Sequence, residues 1–280
     1  MTAKHRISPI TRVEPGTVDA RADQLVVKAP LAMTVKTDSS QPKSIAVTMR
    51  TPGDDKFLCA GFLLTEGIID SQSDIQDIDI REQGGDISEA VVQLSPGFKL
   101  DPSKLERNIY THSSCGVCSK PTLDSIEVTA PSLENQLTPL LSAQMLYGLP
   151  QLLRSTQASF AQTGGIHAAA LINEQGECTT TMEDVGRHNA VDKLIGKALL
   201  ENKLPLHNVA LLLSGRGGFE LIQKAHVAGI PMVLALGAPT TMAVSLAHQM
   251  GMTLAGFLKN DRFNIYTHPH RIDSSQKDFT

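Results

Sequence analysis

Two cysteines three positions apart are the residues of this chain best suited to chemistry. Cys115 and Cys118 lie in a short stretch that is rich in serine and glycine and is followed by Pro121. A cysteine attacks or binds metal as its thiolate, and a polar, locally basic loop favours that form. The other two cysteines, Cys59 and Cys178, lie among apolar or β-prone residues and are predicted to be buried and inert. The pair is therefore the candidate reactive site.

The Cys-x-x-Cys spacing fits three kinds of site. A zinc site needs two further ligands, and the sequence offers no second cysteine or histidine pair at the usual spacing. A thioredoxin-like redox pair should open a helix near the start of a βαβ unit, whereas this pair lies in mid-chain before a proline. The third kind is a carrier thiol, which accepts a sulfur atom as a persulfide and passes it on. Spacing alone leaves these alternatives open, and we predict no permanently bound metal.

The composition indicates a globular protein with room for a full hydrophobic core. Of the 280 residues, 41% are hydrophobic and 19% are charged, and the net charge is −4. This balance provides no basic surface for duplex nucleic acid, and 4% aromatic residues weigh against a platform that stacks single strands. No apolar run approaches the roughly 18 residues of a membrane span, and the N-terminus lacks an apolar signal core. We therefore expect a cytoplasmic protein that binds neither nucleic acid nor membrane.

The N-terminal half carries mainly strand signals. Residues 1–23 are polar and irregular and predict an N-terminal tail. Residues 24–137 predict a β-rich domain that contains the cysteine pair in a loop at 111–121. Within this domain, Asp54 is expected to cap a helix that continues to about Leu64.

The C-terminal half, residues 138–280, alternates short apolar strands with amphipathic helices. The first strand of this series is expected at Ile166–Ile172 and the last at Leu254–Leu258. Such alternation predicts an α/β domain in which helices flank a mostly parallel sheet. Loops at the carboxyl ends of such strands are the usual place for a ligand.

One glycine-rich turn in this half is suited to a phosphate group. Ser214-Gly215-Arg216-Gly217-Gly218 follows an expected strand and opens a helix, where exposed backbone N–H groups and an arginine favour an anion. A tight structural turn has the same pattern. On the helix before it, His188 and Asp192 share a face at i,i+4 spacing. His188 is either a site residue or a satisfied interior histidine.

A second charged turn follows the last expected strand of the α/β series. Lys259 and Arg262 flank Asn260-Asp261, so this turn offers two cations to an anionic group. An ordinary charged turn before an edge strand has the same composition. Read alone, neither turn decides between a ligand site and a structural role.

Six motifs, taken together and in order, resemble those of one known family. In chain order they are Thr65-Glu66-Gly67-Ile68-Ile69, Ser114-Cys115-Gly116-Val117-Cys118, Thr163-Gly164-Gly165-Ile166-His167, Glu183-Asp184-Val185-Gly186-Arg187-His188-Asn189-Ala190-Val191-Asp192-Lys193, Ser214-Gly215-Arg216, and Gly256-Phe257 through Tyr266-Thr267. Over about residues 25–267 the chain is similar to the formate dehydrogenase accessory sulfurtransferase family. One cysteine pair would be weak evidence for the resemblance. Six motifs in the same order, over nearly the whole chain, are hard to obtain by chance.

This resemblance implies a function and partners. Members of the family take persulfide sulfur from a cysteine desulfurase and deliver it to a molybdenum cofactor, molybdenum bis(molybdopterin guanine dinucleotide). The sulfurated cofactor then enters formate dehydrogenase, the client enzyme, which needs it for activity. The resemblance further implies a C-terminal domain of the cytidine deaminase fold and a homodimer.

The resemblance also assigns site residues. The first cysteine of the family's pair carries the persulfide, which corresponds to Cys115, with Cys118 as its neighbour. Lys259 stands where the family usually has arginine, so the position keeps the charge but loses the planar fork suited to phosphate. The residues expected to bind the cofactor are Phe257, Leu258, Lys259, Asn260, Asp261 and Arg262, together with Ser214, Gly215, Arg216 and His188.

Two other functions compete with sulfur transfer. A zinc-dependent nucleobase deaminase needs His-x-Glu followed downstream by Pro-Cys-x-x-Cys. Here His167 is followed by two alanines and the cysteine pair lies upstream, so this function is rejected. A non-catalytic chaperone that holds the cofactor for its client would share the same binding residues and thiols, so it stays an alternative.

Overall fold

The computed structural model describes residues 3–38, 41–84, 86–101 and 132–274. The strands are β1 (His5–Glu14), β2 (Thr17–Val26), β3 (Ala29–Lys36), β4 (Lys43–Arg50), β5 (Ile75–Glu82), β6 (Ser88–Leu94), β7 (Leu141–Ser142), β8 (His167–Ile172), β9 (Cys178–Asp184), β10 (Ala210–Leu213), β11 (Met232–Ala235), β12 (Thr253–Gly256), β13 (Asn264–Thr267) and β14 (Ile272–Asp273). The helices are α1 (Asp55–Thr65), α2 (Ala143–Thr156), α3 (Ala158–Thr163), α4 (Arg187–Leu200), α5 (Phe219–Val227) and α6 (Thr241–Gln249). No helix in these ranges has the length and apolar character to cross a membrane.

Two sheets organise most of the described chain. The first has four strands in the order β4-β3-β6-β5, and the second has six strands in the order β13-β12-β11-β10-β8-β9. In the second sheet, β10, β11 and β12 are parallel neighbours, whereas β8, β9 and β13 pair antiparallel. The architecture is therefore mixed α/β.

The expectation of a mostly parallel second sheet is wrong. Helices α5 and α6 each carry the chain back between successive parallel strands, as parallel pairing requires. The connections from β8 to β9 and from β12 to β13 contain no helix, and short returns of this kind produce antiparallel pairs. Strand β9 was not expected from the sequence, because its threonines and charged residues lack a clear apolar alternation.

The prediction of an irregular tail at residues 1–23 is also wrong. Strands β1 and β2 form an antiparallel hairpin without a shift in register. The turn at Pro15-Gly16 closes it, and Gly16 has a φ of 84°, which residues with a side chain rarely adopt. Interspersed charges conceal the alternation of apolar residues in this segment.

Helix α1 begins where the sequence predicts, but without the expected capping bond. Asp54 is the N-cap residue, yet its side chain makes no capping hydrogen bond. Its carboxylate instead pairs with Lys4 at 3.1 Å, on the surface. An exposed ion pair contributes little to folding stability. The helix is therefore held mainly by its apolar face, where Leu58 and Leu63 are fully buried.

Helices α1 and α4 cross with their backbones in contact. A Cβ atom on Gly61 of α1 would lie 1.9 Å from the carbonyl oxygen of Asp192. A Cβ atom on Gly196 of α4 would lie 1.9 Å from the carbonyl oxygen of Phe57. Buried apolar residues from both sheets join this crossing in one hydrophobic cluster. The predicted domain boundary at residue 137 stays a prediction, but the described parts on either side of it share this core.

Candidate functional site

The parallel strands of the second sheet converge on a cavity at their carboxyl ends. Ser214 follows β10, Leu236 follows β11 and Asn260 lies in the loop after β12. All three line a cavity of about 640 Å³, whose other wall is formed by α2 and α3 with Arg154 and Gln157. Its volume falls in the range of small-molecule sites, about 300–1,000 Å³. The cavity is hereafter called the main cavity.

Backbone hydrogen bonds hold the loops of the main cavity together. The N–H of Gly217 donates to the carbonyl oxygen of Ala238 at 3.2 Å, and the N–H of Gly218 donates to that of Arg216 at 3.2 Å. Two donors of the expected phosphate-binding turn are thus engaged within the protein. The turn is a rigid rim of the cavity and offers fewer free N–H groups than its sequence indicates.

His167, the first residue of β8, is a half-buried group on the wall of the main cavity. Because β8 runs antiparallel to β10, its start lies beside Ser214, whose Oγ accepts a hydrogen bond from the N–H of Ala168 at 2.9 Å. Burial, and then the positive charge of Arg187, lowers the pKa of His167 below its ordinary value of 6.5. At pH 7 the imidazole is therefore neutral, so one ring nitrogen donates and the other accepts.

His188 lies close to Glu220 and not in a shared site with Asp192. Its Nε2 is 3.8 Å from Glu220 Oε2, which is an ion-pair distance but too long for a hydrogen bond. This neighbour lowers the pKa of Glu220 to about 2, although burial opposes the change. Asp192 instead accepts a hydrogen bond from Thr65 at 2.8 Å and pairs with Lys224 at 2.9 Å.

A buried ion pair orders the turn before α4. The side chains of Asp184 and Lys193 are 0% and 1% exposed and lie 2.8 Å apart. Asp184 also accepts hydrogen bonds from the N–H of Gly186 at 2.8 Å and from Asn189 Nδ2 at 3.0 Å. Because its oxygens are satisfied, this carboxylate positions the turn and is not free to bind a ligand.

The second charged turn divides two cavities. Asn260 faces the main cavity, whereas Phe257, Lys259 and Arg262 line a second cavity of about 250 Å³ together with Asn264. The N–H of Lys259 donates to the carbonyl oxygen of Arg262 at 2.9 Å and closes the turn. The structure thus brings Ser214 and Asn260 into one site and places the two expected cations in its neighbour.

The remaining expected cofactor residues differ in their exposure. Leu258 is 1% exposed and packs in the hydrophobic cluster beneath the turn, so it supports the turn from within the core. The carboxylate of Asp261 lies 3.8 Å from the guanidinium of Arg262, and both side chains are solvent-exposed. Gly215 and Arg216 lie in the rim after β10, where the Arg216 side chain is exposed.

Two polar residues of the main cavity were not identified from the sequence. The guanidinium carbon of Arg154 lies 4.0 Å from the centre of the Phe160 ring. Gln157 is 4% exposed, and its Nε2 has no hydrogen-bond partner among the described residues. An unpaired buried amide costs about 1–3 kcal/mol, which an acceptor on a ligand would recover. No sequence signal marks these residues, since a polar residue on an amphipathic helix, such as Arg154, or between two helices, such as Gln157, is usually solvated.

The predicted sulfur-bearing cysteines, Cys115 and Cys118, lie outside the described residues, as does the loop at 111–121. Cys59 is fully buried, which raises the pKa of its thiol and confirms the prediction that it is inert. Cys178 is only half-buried, and its Sγ lies 3.1 Å from Thr181 Oγ1. Within the described ranges, no three His, Cys, Asp or Glu side chains are placed to share a metal ion.

Comparison with known proteins identifies the family. The model of the FdhD/NarQ family matches residues 26–273. This chain belongs to the FdhD/NarQ family. It is 45% identical over 269 residues to the sulfur carrier protein FdhD of Streptomyces avermitilis, with 94% of each chain covered. It is 38% identical over 263 residues to the sulfur carrier protein FdhD of Saccharolobus solfataricus, with 94% of this chain and 96% of that one covered. The family resemblance drawn from the six motifs is confirmed.

A solved structure shows the same fold in another protein of this kind. The crystal structure of a candidate formate dehydrogenase accessory protein from Desulfotalea psychrophila superimposes with a TM-score of 0.72. The alignment covers 96% of this chain and 100% of that one at 22% identity, so it bears on fold alone. The mixed α/β architecture of this FdhD/NarQ protein is therefore shared, while the likeness to cytidine deaminases stays a prediction.

Proposed function

We propose that this FdhD/NarQ protein is a cytoplasmic sulfurtransferase that matures formate dehydrogenase. It accepts persulfide sulfur from a cysteine desulfurase on Cys115 and transfers it to the molybdenum cofactor with two molybdopterin guanine dinucleotides. One observation carries the proposal. The family match spans residues 26–273, which include the cysteine pair, and relatives matched over more than 90% of their length are named sulfur carrier proteins.

The transfer consists of two exchanges at a sulfur–sulfur bond. The Cys115 thiolate attacks the terminal sulfur of the donor's persulfide, the donor's S–S bond breaks, and the donor leaves as a thiolate. In the second exchange the new S–S bond on Cys115 breaks, the terminal sulfur passes to the cofactor, and Cys115 returns to the thiolate. A neutral sulfur atom becomes sulfide in this step, so the acceptor supplies two electrons.

The two adjacent cavities are suited to the guanine dinucleotide part of the cofactor, which is the substrate here. In the main cavity, neutral His167, the unpaired amide of Gln157 and the amide of Asn260 offer donors and acceptors to a base or ribose. Beyond Asn260, Lys259 and Arg262 offer positive charge to a diphosphate. The substrate would thus extend across the turn that separates the cavities.

Formate dehydrogenase activity in cells that lack their own sulfur carrier tests the proposal. We expect the wild-type chain to restore activity and Cys115→Ala to abolish it, because Cys115 carries the sulfur in this proposal. Cys178→Ala is the matched control and should restore activity fully, since this thiol is half-buried beside Thr181. Full restoration by Cys115→Ala would contradict sulfur transfer and favour the non-catalytic chaperone.

A further inference from the structure

Phe257 is an exposed aromatic residue in an uncommon backbone conformation. It follows strand β12 with a φ of 54°, in the left-handed region that residues with a side chain rarely adopt. The residue is 44% exposed, so it gains less from burial than a core phenylalanine does. Strained backbone of this kind is concentrated at ligand sites. The strain at Phe257 therefore indicates a role for its ring outside the core.

The backbone on both sides of Phe257 holds it in this conformation. Its N–H donates to the carbonyl oxygen of Gly237 at 3.0 Å, and the N–H of Leu258 donates to that of Ala235 at 3.2 Å. The side chain of Leu258 is 1% exposed and packs in the hydrophobic cluster beneath the turn. Because Leu258 is anchored in the core, Phe257 is kept at the surface, where it lines the second cavity.

The second cavity combines this aromatic residue with positive charge. Lys259, Arg262 and Asn264 line it together with Phe257. The carboxylate of Asp261 lies 3.8 Å from the guanidinium of Arg262, too far for a hydrogen bond. A ring beside two cations suits a ligand that carries both a planar ring and phosphate. A volume of about 250 Å³ is below the usual range for whole ligands, about 300–1,000 Å³, so this cavity is suited to one part of a larger molecule.

The order of the two cavities favours the pterin as the ring that meets Phe257. In the proposed cofactor, a diphosphate joins each guanosine to a pterin. The main cavity offers the unpaired amide of Gln157 and the amide of Asn260 to the base, and Lys259 and Arg262 lie beyond Asn260 for the diphosphate. A cofactor whose guanine lies in the main cavity thus brings its pterin to the second cavity.

We propose that Phe257 is a stacking platform for the pterin ring, and that Lys259 and Arg262 hold the diphosphate beside it. The inference rests on the proposed function, since the pterin belongs to the cofactor that the chain is proposed to bind. It adds the direction in which that cofactor lies, with the guanine in the main cavity and the pterin in the second cavity.

Titration calorimetry of the purified chain with hydroxymethylpterin diphosphate tests the stacking. Phe257→Leu keeps an apolar side chain but removes the aromatic face, so it should weaken binding by about five- to a hundredfold. Phe257→Trp should bind at least as tightly as the wild type. Inorganic diphosphate has no ring, so Phe257→Leu should bind it as the wild type does, whereas Arg262→Ala should weaken both ligands. Equal affinities of the wild type and Phe257→Leu for the pterin ligand would overturn the platform.

GDP tests the direction of the cofactor. Phe257→Leu should leave GDP affinity unchanged, and Gln157→Leu should weaken GDP but not the pterin ligand. Equal losses for the two ligands in Phe257→Leu would overturn the assignment of the pterin to the second cavity. A wild type that binds GDP but not the pterin ligand would overturn this inference and leave the proposed function in place. A wild type that binds neither would overturn both the inference and the proposed cofactor site.

Phe257→Gly separates ligand binding from folding. Glycine adopts a positive φ readily, so this variant should unfold at a urea concentration at least as high as the wild type does. It should nevertheless lose affinity for the pterin ligand as Phe257→Leu does. A midpoint of urea unfolding well below that of the wild type would show that the ring supports the fold, and would overturn the role of Phe257 as a platform.

Discussion

His167 and the charges around it set the protonation of the main cavity near neutral pH. Burial, followed by Arg187, lowers the pKa of His167 below 6.5. The folded chain thus binds this proton more weakly than the unfolded chain does. Folding is therefore penalised as the pH falls through 6.5 toward the folded pKa, and the penalty is absent at higher pH.

Replacing Arg187 tests this electrostatic arrangement. The titration midpoint of the His167 ring, followed by NMR, should lie below 6.5 in the wild type. It should move up toward 6.5 in Arg187→Ala, because a nearby positive charge disfavours the imidazolium. Lys203→Ala, which removes a cation paired with Glu201 on the surface, should leave the midpoint unchanged. A wild-type midpoint at or above 6.5, or equal shifts in the two variants, would refute the arrangement.

Guanine nucleotide binding can be assigned to the two cavities by single substitutions. Charge-assisted contacts contribute roughly 1.5–3 kcal/mol, so Arg262→Ala should weaken GDP binding by about ten- to a hundredfold. Gln157→Leu should weaken it by about tenfold, because the buried amide then offers no donor. Titration calorimetry measures both, and affinity should fall as salt rises.

The control for this titration is Arg81→Ala. Arg81 lies on β5 of the other sheet, where it pairs with Asp79 on the surface, so its removal should leave GDP affinity unchanged. If Arg262→Ala and Gln157→Leu bind GDP as tightly as the wild type does, the nucleotide binds elsewhere. Loss of affinity in only one of them would confine the nucleotide to that cavity.

Part of the site could be foreseen from single residues. Ser214 and Asn260 follow parallel strands, and loops at the carboxyl ends of such strands converge by geometry, so both reach the main cavity. Arg154 of α2 and Gln157 between α2 and α3 could not be foreseen, because the packing of the two helices on the sheet decides which of their residues face the cavity. Leu258 was expected to bind the cofactor because it lies in a family motif, but its side chain is buried. The motif did not indicate this burial.

At the scale of elements, the crossing of α1 and α4 sets the relative position of the two sheets. Gly196→Ala would place a methyl group 1.9 Å from a backbone carbonyl oxygen, and overpacking of this kind costs about 1–3 kcal/mol or more. Gly148→Ala in α2 is the matched control, because a Cβ there meets nothing within 4 Å. It should stabilise the protein by about 0.5–1 kcal/mol. Urea unfolding measures both, and equal stabilities of the two variants would rule out the close crossing.

The elements were predictable where their apolar pattern was strong. Strands β8 and β12 begin and end within two residues of the expected positions, because each is a short, almost wholly buried apolar run. Strands β1, β2 and β9 were not expected, since charges and threonines interrupt their alternation. Strand direction could not be read from the segments themselves, because parallel or antiparallel pairing depends on how the connections cross the sheet.

At the scale of the whole molecule, the proposed substrate-binding cavities and the proposed sulfur-carrying cysteine fall on different parts of the chain. The two cavities belong to the second sheet and its loops, within residues 132–274. The cysteine pair lies in the sequence before this part, after the strands of the first sheet. A sulfur carrier would need both the cavities, to hold the cofactor, and the cysteine pair, to bring the sulfur. A chaperone would need only the cavities.

Transfer of labelled sulfur from cysteine tests the central claim most directly. The purified chain is incubated with a cysteine desulfurase and cysteine labelled at sulfur, and the label is then located by mass spectrometry of its peptides. We expect one labelled sulfur on the peptide that contains Cys115, released by a thiol reductant, present in Cys178→Ala and absent in Cys115→Ala. Absence of label from the wild type, or equal label on Cys115→Ala, would contradict the sulfur-carrying role of this residue.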